Sequence, residues 1–211
     1  MARTRTGIGL VSERRLGNAF MQVYSADMST LTIDLPAQEN QTAFNLRRWS
    51  QLSTDPLIVQ ELAKFAGRVE TDRHGHIIMY LPPGFSHGGY QSEIAHLLRT
   101  LLPEGRVTTE CPISTADGVK GADVTWVSPV RMEAIHRKNC LTAAPEICVE
   151  VLSPDNTRSE MAEKKALYFA AGAKEVWHCD RSGAMTFFVH AASRGQKSSK
   201  FCPEFPRQIQ I

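Results

Sequence analysis

A charged residue stands inside an otherwise apolar run in the second half of the chain. The segment "PEICVEVLSPDNT", residues 145–157, has the composition of a buried strand on both sides of Glu150. An ionised carboxylate removed from water costs roughly several kcal/mol unless a cation, a metal or hydrogen bonds compensate it. The pattern therefore predicts a buried strand in which Glu150 has a partner, and that partner is the first clue to function.

A second carboxylate occurs in the same kind of setting. Asp123 lies within "GADVTWV", and the two strands are close enough in sequence to be neighbours in one sheet. Two adjacent carboxylates would repel, and one pKa would rise, unless a divalent cation lay between them; hard cations such as Mg²⁺ prefer oxygen ligands. A metal site is the economical interpretation. The alternative is that each carboxylate caps a strand end or pairs with an arginine separately.

The helix predicted after Glu150 adds a cationic group. "RSEMAEKKALYFAAG" places Lys164 and Lys165 close to Met161 and Tyr168 on the helical wheel. An inward-facing ammonium would neutralise the carboxylate pair, orient a water nucleophile or bind a phosphate oxygen. The alternative is that both lysine stems lie along apolar surface with their charges in water. Periodicity does not choose between the two lysines.

The length of the chain, 211 residues, suits one globular domain. Residues 1–41 show no long helical or alternating pattern, so we predict a loose N-terminal arm followed by a single domain over residues 42–211. Met21 and Met28 are alternative translation starts within that arm.

Charge and cysteine content exclude several classes of protein. The net charge of +2 is too small to indicate nucleic acid, membrane or an acidic partner by itself. The five cysteines occur singly, without the C-x-x-C pairs of zinc or redox sites, which favours a reducing, cytoplasmic location. No run approaches the roughly 18 apolar residues of a membrane span, and we expect no membrane association.

The remaining elements predict a mixed α/β core. Helical spacing starts at Thr42, and "TDPLIVQELAKFAG" predicts a second helix that ends at Gly67. "RVETDRHGHIIMYLP" predicts a hairpin, and "HGGYQSEIAHLLRTLLPEG" the clearest helix. "KEVWHCD" and "AMTFFVH" predict strands after the lysine helix, and a last short strand follows the basic loop "SRGQKSSK".

Four segments together resemble a known family. "ADVTWVSP", "APEICVEVLSPDNT", "KKALY" and "AGAKEVWHCD" occur in the order and approximate spacing of the Uma-type restriction endonucleases, a branch of the PD-(D/E)XK nuclease superfamily. The resemblance runs from about Thr42 to the C-terminus. It implies a restriction-endonuclease-like fold, a mixed β-sheet core flanked by helices, with Asp123 and Glu150 as metal ligands.

One departure from the superfamily pattern is informative. The usual lysine two residues after the acidic residue is replaced by Leu152. In the Uma-type family the lysine looks displaced to the following helix, and the lysine four residues before the tyrosine matches Lys164. By the same similarity, Glu70 matches an early-strand glutamate that acts as a further ligand or an orienting acid, although the turn after it is altered.

Other polar residues have weaker claims. Glu93 borders the apolar stripe of its helix and is either the superfamily's first-helix acid or a solvated flank residue. His87 matches a family histidine or caps a turn. His74 and His76 fit a surface turn unless a third metal ligand converges on them. Ser153 has no histidine base at motif spacing, so we expect it to cap the lysine helix with Asp155 or Asn156.

The resemblance implies a Mg²⁺- or Mn²⁺-dependent endonuclease that hydrolyses phosphodiester bonds in DNA, with Asp123, Glu150, Lys164 and Glu70 as its catalytic residues. Cleavage of both strands of a duplex would suggest a homodimer. Two alternatives stay open. One is a catalytically inactive nuclease-fold module that binds nucleic acid or a protein partner. The other is a hydrolase of small phosphate esters, which would have a closed pocket and no basic rim.

Overall fold

The structure, a computed structural model, describes residues 12–16, 19–27, 30–33, 39–137, 139–154 and 156–211. The chain divides into two compact units, Met1–Glu39 and Asn40–Ile211.

The first unit contains regular strands in its described part. Strands β1 (Ser12–Leu16), β2 (Ala19–Asp27) and β3 (Thr30–Ile33) form an antiparallel sheet in the order β1-β2-β3. The sequence predicts no regular element over this region. The alternating run of β3, TLTI, is only four residues long, and β2 mixes apolar and polar residues without a regular period, so periodicity does not detect this sheet.

The second unit alternates helices and strands. Its helices are α1 (Gln41–Thr54), α2 (Pro56–Leu62), α3 (Phe85–Leu101), α4 (Pro129–Ile135) and α5 (Arg158–Ala170). Its strands are β4 (Arg68–Thr71), β5 (Ile77–Tyr80), β6 (Arg106–Thr115), β7 (Gly118–Val127), β8 (His136–Arg137), β9 (Cys140–Leu141), β10 (Ile147–Val151), β11 (Glu175–Cys179) and β12 (Met185–Phe188). The predicted mixed α/β class is confirmed.

Within the described residues, a seven-stranded mixed sheet has the order β12-β11-β10-β7-β6-β9-β8. Strands β10 and β11 are parallel, whereas β10 pairs antiparallel with β7. Val149 is registered with Val124, so Glu150 and Asp123 are the next residues along these two neighbouring strands. The expected adjacency of the two carboxylate-bearing strands is therefore found.

Two apolar clusters cover the sheet. One joins α3, through Ile94 and Leu98, to side chains of β7, β10 and β11 such as Trp177. The other joins α5, through Tyr168, to Cys148 and Val176. Alternating side chains of one strand point to opposite faces, so Cys148 and Glu150 lie on the α5 side and Val149 on the α3 side. Glu150 thus faces the helix that carries the lysines.

Several boundaries differ from the sequence predictions. Helix α2 starts as predicted, with the Asp55 carboxylate accepting from the backbone N–H groups of Leu57 and Ile58, but it ends at Leu62 rather than at Gly67. Thr157 caps α5 through the N–H of Glu160; Ser153 instead bonds to Asn156. The nearest side chain with an extended backbone takes the cap position.

The C-terminal segment also differs from its prediction. In place of a last strand, single bridges join Ala184 to Gln208 and Phe187 to Gln196. The buried Glu175 carboxylate fixes this segment by accepting from Trp177, Ser199 and Lys200. In the part of the chain that the structure describes, no helix has the length and apolar character needed to cross a membrane.

The β4–β5 hairpin is held against β7 by backbone contacts at a glycine. Gly118 has φ +83°, and a side chain there would overlap the backbone oxygens of Thr71 and Asp72. The N–H of the next residue, Val119, donates to the Thr71 hydroxyl at 3.0 Å. This close approach fixes the position of the hairpin on β7 and therefore the position of Glu70, which the hairpin carries.

We expect Gly118→Ala to lower the free energy of unfolding by about 2 to 4 kcal/mol, because the alanine is strained at positive φ and collides with the hairpin backbone. Urea denaturation measures this change. Gly88→Ala in α3 is the matched control, since a Cβ there meets open space, and it should be neutral or stabilising by up to about 1 kcal/mol. Equal midpoints for the two variants would contradict the role of Gly118.

Candidate active site

Lys164 is the central cation of a buried polar cluster. Its side chain is only 6% exposed. The Nζ atom lies 3.0 Å from Glu70 Oε1 and 3.2 Å from Glu150 Oε2, and it donates to the Gly121 carbonyl oxygen at 3.4 Å. Burial alone would lower the pKa of Lys164, but the Glu150 and Glu70 carboxylates raise it above its usual value. The ammonium is therefore charged at neutral pH.

The neighbouring lysine faces elsewhere. Lys165 Nζ lies 4.2 Å from the centre of the Phe188 ring. Successive residues on a helix are rotated by about 100°, so only one of two adjacent lysines can enter the same site. The structure thus places Lys164, the lysine chosen by family resemblance, with the predicted carboxylates.

Glu150 has the compensating partners that its apolar surroundings require. The Tyr168 hydroxyl donates to Oε1 at 2.6 Å, and Lys164 contacts both carboxylate oxygens. Burial raises the pKa of Glu150 to about 7; Lys164 opposes this shift, whereas the charge of Asp123 adds to it. The Tyr168 hydroxyl and the Lys164 ammonium therefore offset only part of the cost of burying this carboxylate.

Asp123 is buried to 1% exposure and is held by three groups. Arg68 Nη1 donates to Oδ1 at 2.6 Å, the Val151 N–H donates to Oδ2 at 2.7 Å, and His87 Nε2 lies 3.3 Å from Oδ2. Burial would raise the pKa of Asp123, but the His87 hydrogen bond and the Arg68 charge lower it below its usual value. The same hydrogen bond to Asp123 raises the pKa of His87.

Glu70 links the β4–β5 hairpin to the sheet. Its Oε1 accepts from the Gly121 N–H at 3.0 Å and faces Lys164, while Oε2 accepts from the Tyr80 hydroxyl at 3.2 Å. Burial, with the nearby Glu70 charge, raises the pKa of Tyr80 to about 12. Glu70 therefore contacts both the Lys164 ammonium and the backbone of β7.

Helix α3 contributes to the site through its first turns. Besides His87, it supplies Gln91, whose Nε2 donates to the Asp123 carbonyl and to Glu110 Oε1, both at 2.9 Å. Glu93 makes no hydrogen bond or ion pair with this cluster among the described residues. Of the two readings of Glu93, the flank position fits the geometry.

The other predicted candidates lie apart from the cluster. His74 and His76 are in the β4–β5 turn, where His76 pairs with Asp72 at 2.7 Å. Leu152 is half-buried, and its N–H donates to the Cys179 carbonyl. Within the described residues, no group of three or more His, Cys, Asp and Glu side chains has the geometry of a preformed metal site.

Four residues of the cluster were not identified as site residues from the sequence. Arg68, Gln91 and Glu110 are ordinary polar residues in sequence, and Tyr168 entered only as part of a motif. A single hint existed for Arg68, because it sits two residues before Glu70 and therefore on the same face of its strand.

The fold and the cluster together define the class of protein. A mixed sheet with carboxylates on two adjacent strands and a buried lysine on the following helix is the arrangement expected for a restriction-endonuclease-like protein. A solved structure shares this fold: a chain from Anabaena variabilis, titled "a putative nuclease belonging to DUF820", superposes with a TM-score of 0.55 at 18% identity, covering 71% of this chain and 93% of that one.

The family follows from the sequence match. Residues 59–209 match the model of the Uma2 family, described as "Putative restriction endonuclease". This is more than half of the chain, so the protein belongs to the Uma2 family, and the resemblance noted in the sequence is confirmed. Comparison with curated proteins gives no match.

We expect the burial of Glu150 to make stability depend on pH in a specific direction. Its pKa is higher in the folded protein, about 7, than in the unfolded chain, so the folded state binds the extra proton. This contribution is full below about pH 4.5 and is lost as pH rises to about 7, by on the order of 3 kcal/mol.

The measurement is the difference in unfolding free energy between wild type and Glu150→Gln from pH 4 to 8. Lys164 stays charged throughout this range, so it does not contribute a slope of its own. The wild type should lose stability relative to the variant as pH rises. A difference independent of pH would show that Glu150 does not titrate in this window.

Proposed function

We propose that the protein is a metal-dependent endonuclease that hydrolyses phosphodiester bonds in DNA, with Asp123, Glu150, Lys164 and Glu70 in its active site. The observation that carries the proposal is the position of Lys164 Nζ, buried between Glu70 and Glu150 beside the strand that holds Asp123. Placing a lysine ammonium between two buried carboxylates costs desolvation energy that a purely structural core does not need to spend.

Asp123 and Glu150 would hold the divalent cation, Mg²⁺ or Mn²⁺. Both present hard carboxylate oxygens on adjacent strands, and the guanidinium Nη1 of Arg68 already lies against Asp123 Oδ1 as a cation would. The residues therefore fit the group. When bound, the metal supplies Lewis-acid polarisation of the phosphate and lowers the pKa of a coordinated water.

The other residues act on geometry and charge. Lys164 would orient the attacking water or stabilise the negative charge that develops on the phosphate oxygens. Glu70 fixes the ammonium from the hairpin side, and Tyr168 fixes the Glu150 carboxylate through its 2.6 Å hydrogen bond. Lys164 thus takes the part that the superfamily assigns to a lysine at the position of Leu152.

A groove beside the cluster supports a polymeric substrate over a small phosphate ester. It has a volume of about 570 Å³ along α3, and its lining includes Gln91, the residue bonded to the Asp123 carbonyl. Its lining is polar and carries basic or neutral groups: Gly88, Gln91, Ser92, Ala95, His96, Arg99 and Thr109. Such a groove suits a phosphate backbone. Cutting both strands of a duplex would require a second copy, so we propose a homodimer.

A second candidate is a nuclease-fold module without catalysis that binds nucleic acid or a protein partner. One observation favours it: the 2.6 Å ion pair with Arg68 occupies the Asp123 oxygen that a metal would need. The two candidates differ in whether the protein cuts DNA.

Metal-dependent cleavage of supercoiled plasmid tests the proposal. We expect nicking with Mg²⁺ or Mn²⁺, and a loss of at least about 100-fold in rate for Glu150→Gln and Lys164→Ala, because each removes charge from the reacting centre. Lys165→Ala is the matched control; it removes the same charge one residue away and should change the rate by less than about threefold.

The catalytic proposal fails if the wild type cuts no DNA with either metal, and the assignment of Lys164 fails if Lys165→Ala is the more damaging lysine variant. Circular dichroism of each variant establishes that it is folded.

A second comparison separates the two glutamates with claims to be the additional acid. We expect Glu70→Gln to slow cleavage by about tenfold or more, since it removes one of the two carboxylates that position Lys164, whereas Glu93→Gln should leave the rate within about twofold. Single-turnover plasmid cleavage measures both. If Glu93→Gln slowed cleavage more than Glu70→Gln, Glu93 would be the additional acid instead of Glu70.

A further inference from the structure

Three carboxylates share the guanidinium of Arg68. Its Nη1 atom lies 2.6 Å from Asp123 Oδ1 and 3.6 Å from Glu110 Oε2, and Nη2 lies 4.0 Å from Glu70 Oε1. Asp123 is buried to 1% exposure, whereas the Glu110 side chain is 42% exposed. One cationic nitrogen thus lies between a buried carboxylate and an exposed one.

Glu110 is held in this position by a strained backbone. It is the single non-glycine residue with positive φ in the described part of the chain, at +49°. The β6–β7 ladder pairs Thr109 with Val124 and Cys111 with Ala122, which leaves Glu110 opposite Asp123 without a ladder pair. A left-handed conformation costs a non-glycine residue about 1 kcal/mol or more, and such strain concentrates at functional sites.

Gln91 fixes the Glu110 carboxylate while leaving one of its oxygens available. The amide donates to Glu110 Oε1 and to the Asp123 carbonyl, so it joins the two strands that carry these acids. Glu110 Oε2 faces Arg68 instead. The arrangement presents a preformed second acceptor for the guanidinium, next to the first.

Arg68 is partly exposed and has more than one acidic neighbour within reach of its guanidinium. Its side chain is 22% exposed, and its Nε is buried without a hydrogen-bond partner in the described structure. Its guanidinium lies 5.2 Å from the centre of the Tyr80 ring, and its stem packs closely on Gly121, where a Cβ would come within 3.3 Å of Arg68 Cδ.

Arg68 Nη1 lies 2.6 Å from the Asp123 carboxylate, which is buried. A divalent cation bound to the same carboxylate would be strongly repelled by the guanidinium, because water does not screen the two charges there. One of them must leave. The exposed Glu110 can accept the guanidinium at lower desolvation cost than any buried acid.

We propose that Arg68 is a positioning residue that occupies the cation position at Asp123 in the metal-free protein and transfers to Glu110 when the divalent cation binds. This inference rests on the proposed metal site. Arg68 keeps the buried Asp123 carboxylate compensated until the metal arrives, and metal binding then carries the guanidinium toward Gln91, which lines the α3 groove. Apparent metal affinity is reduced by the fraction of molecules in which Arg68 has left Asp123.

The test is Mn²⁺ binding to the purified full chain without DNA, followed by electron paramagnetic resonance of free Mn²⁺. We expect Arg68→Met to bind Mn²⁺ about tenfold more tightly than wild type, because the competing cation is gone. Lys120→Met is the matched control: Lys120 is a buried cation of β7 that contacts Asp117 and Thr71, and its loss should change the affinity by less than about twofold.

Glu110→Gln tests the transfer itself. In the wild-type background it should weaken Mn²⁺ binding by about threefold, because the displaced guanidinium loses its acceptor. In the Arg68→Met background it should have no effect. A weakening that persists in the double variant would overturn the transfer, since Glu110 would then act on the metal directly.

Three further outcomes decide against the proposal. Equal affinity of wild type and Arg68→Met would overturn it while leaving the metal site intact. An equal gain in Mn²⁺ affinity in Lys120→Met would show that the gain comes from the loss of any nearby positive charge and not from Arg68 in particular. Absence of Mn²⁺ binding in every folded variant would overturn the proposed metal site and the inference together. If Arg68→Met does not fold, Arg68→Lys takes its place, with an expected affinity between wild type and the tenfold gain.

Discussion

One buried ammonium group connects three parts of the chain that have no covalent reason to meet. Lys164 Nζ on α5 contacts Glu70 of the hairpin, Glu150 of β10 and the Gly121 carbonyl of β7. Each buried charge is costly alone and tolerable only when the others are in place. The hairpin, the central strands and α5 therefore stabilise one another through the buried charges that also form the site. A change in the packing of any of these elements would change the geometry of the site.

The carboxylates of the site were predictable because charged residues are rare inside buried strands. Asp123 and Glu150 are charged residues within apolar strands, and buried charges require partners. The antiparallel pairing of β7 with β10 follows from two strands close in sequence. Choosing Lys164 over Lys165 required the resemblance to a family, since both positions border the apolar stripe of α5. Glu70 was found in the same way.

The remaining contacts depend on tertiary structure, and local sequence does not reveal which residues they join. Arg68 reaches Asp123 across 55 residues, and Gln91 reaches Glu110 across 19. The positive φ of Glu110 could not be predicted, because the residue is neither a glycine nor an asparagine, the types that commonly adopt it. Strand β6, helix α4 and the strands of the first unit were missed. In each case the element is stabilised by what it pairs with rather than by its own composition.

Carrying the lysine on a helix separates it from the strand that carries the acid. In the superfamily pattern both groups belong to one strand and their spacing is fixed by the pleat. Here the two charged residues are 14 positions apart, and the loop between β10 and α5 lies between them. Insertions or deletions in that loop can accumulate in evolution without displacing the ammonium, as long as α5 keeps its docking through Tyr168. Searches for a fixed acid-to-lysine spacing would therefore overlook descendants of such a protein.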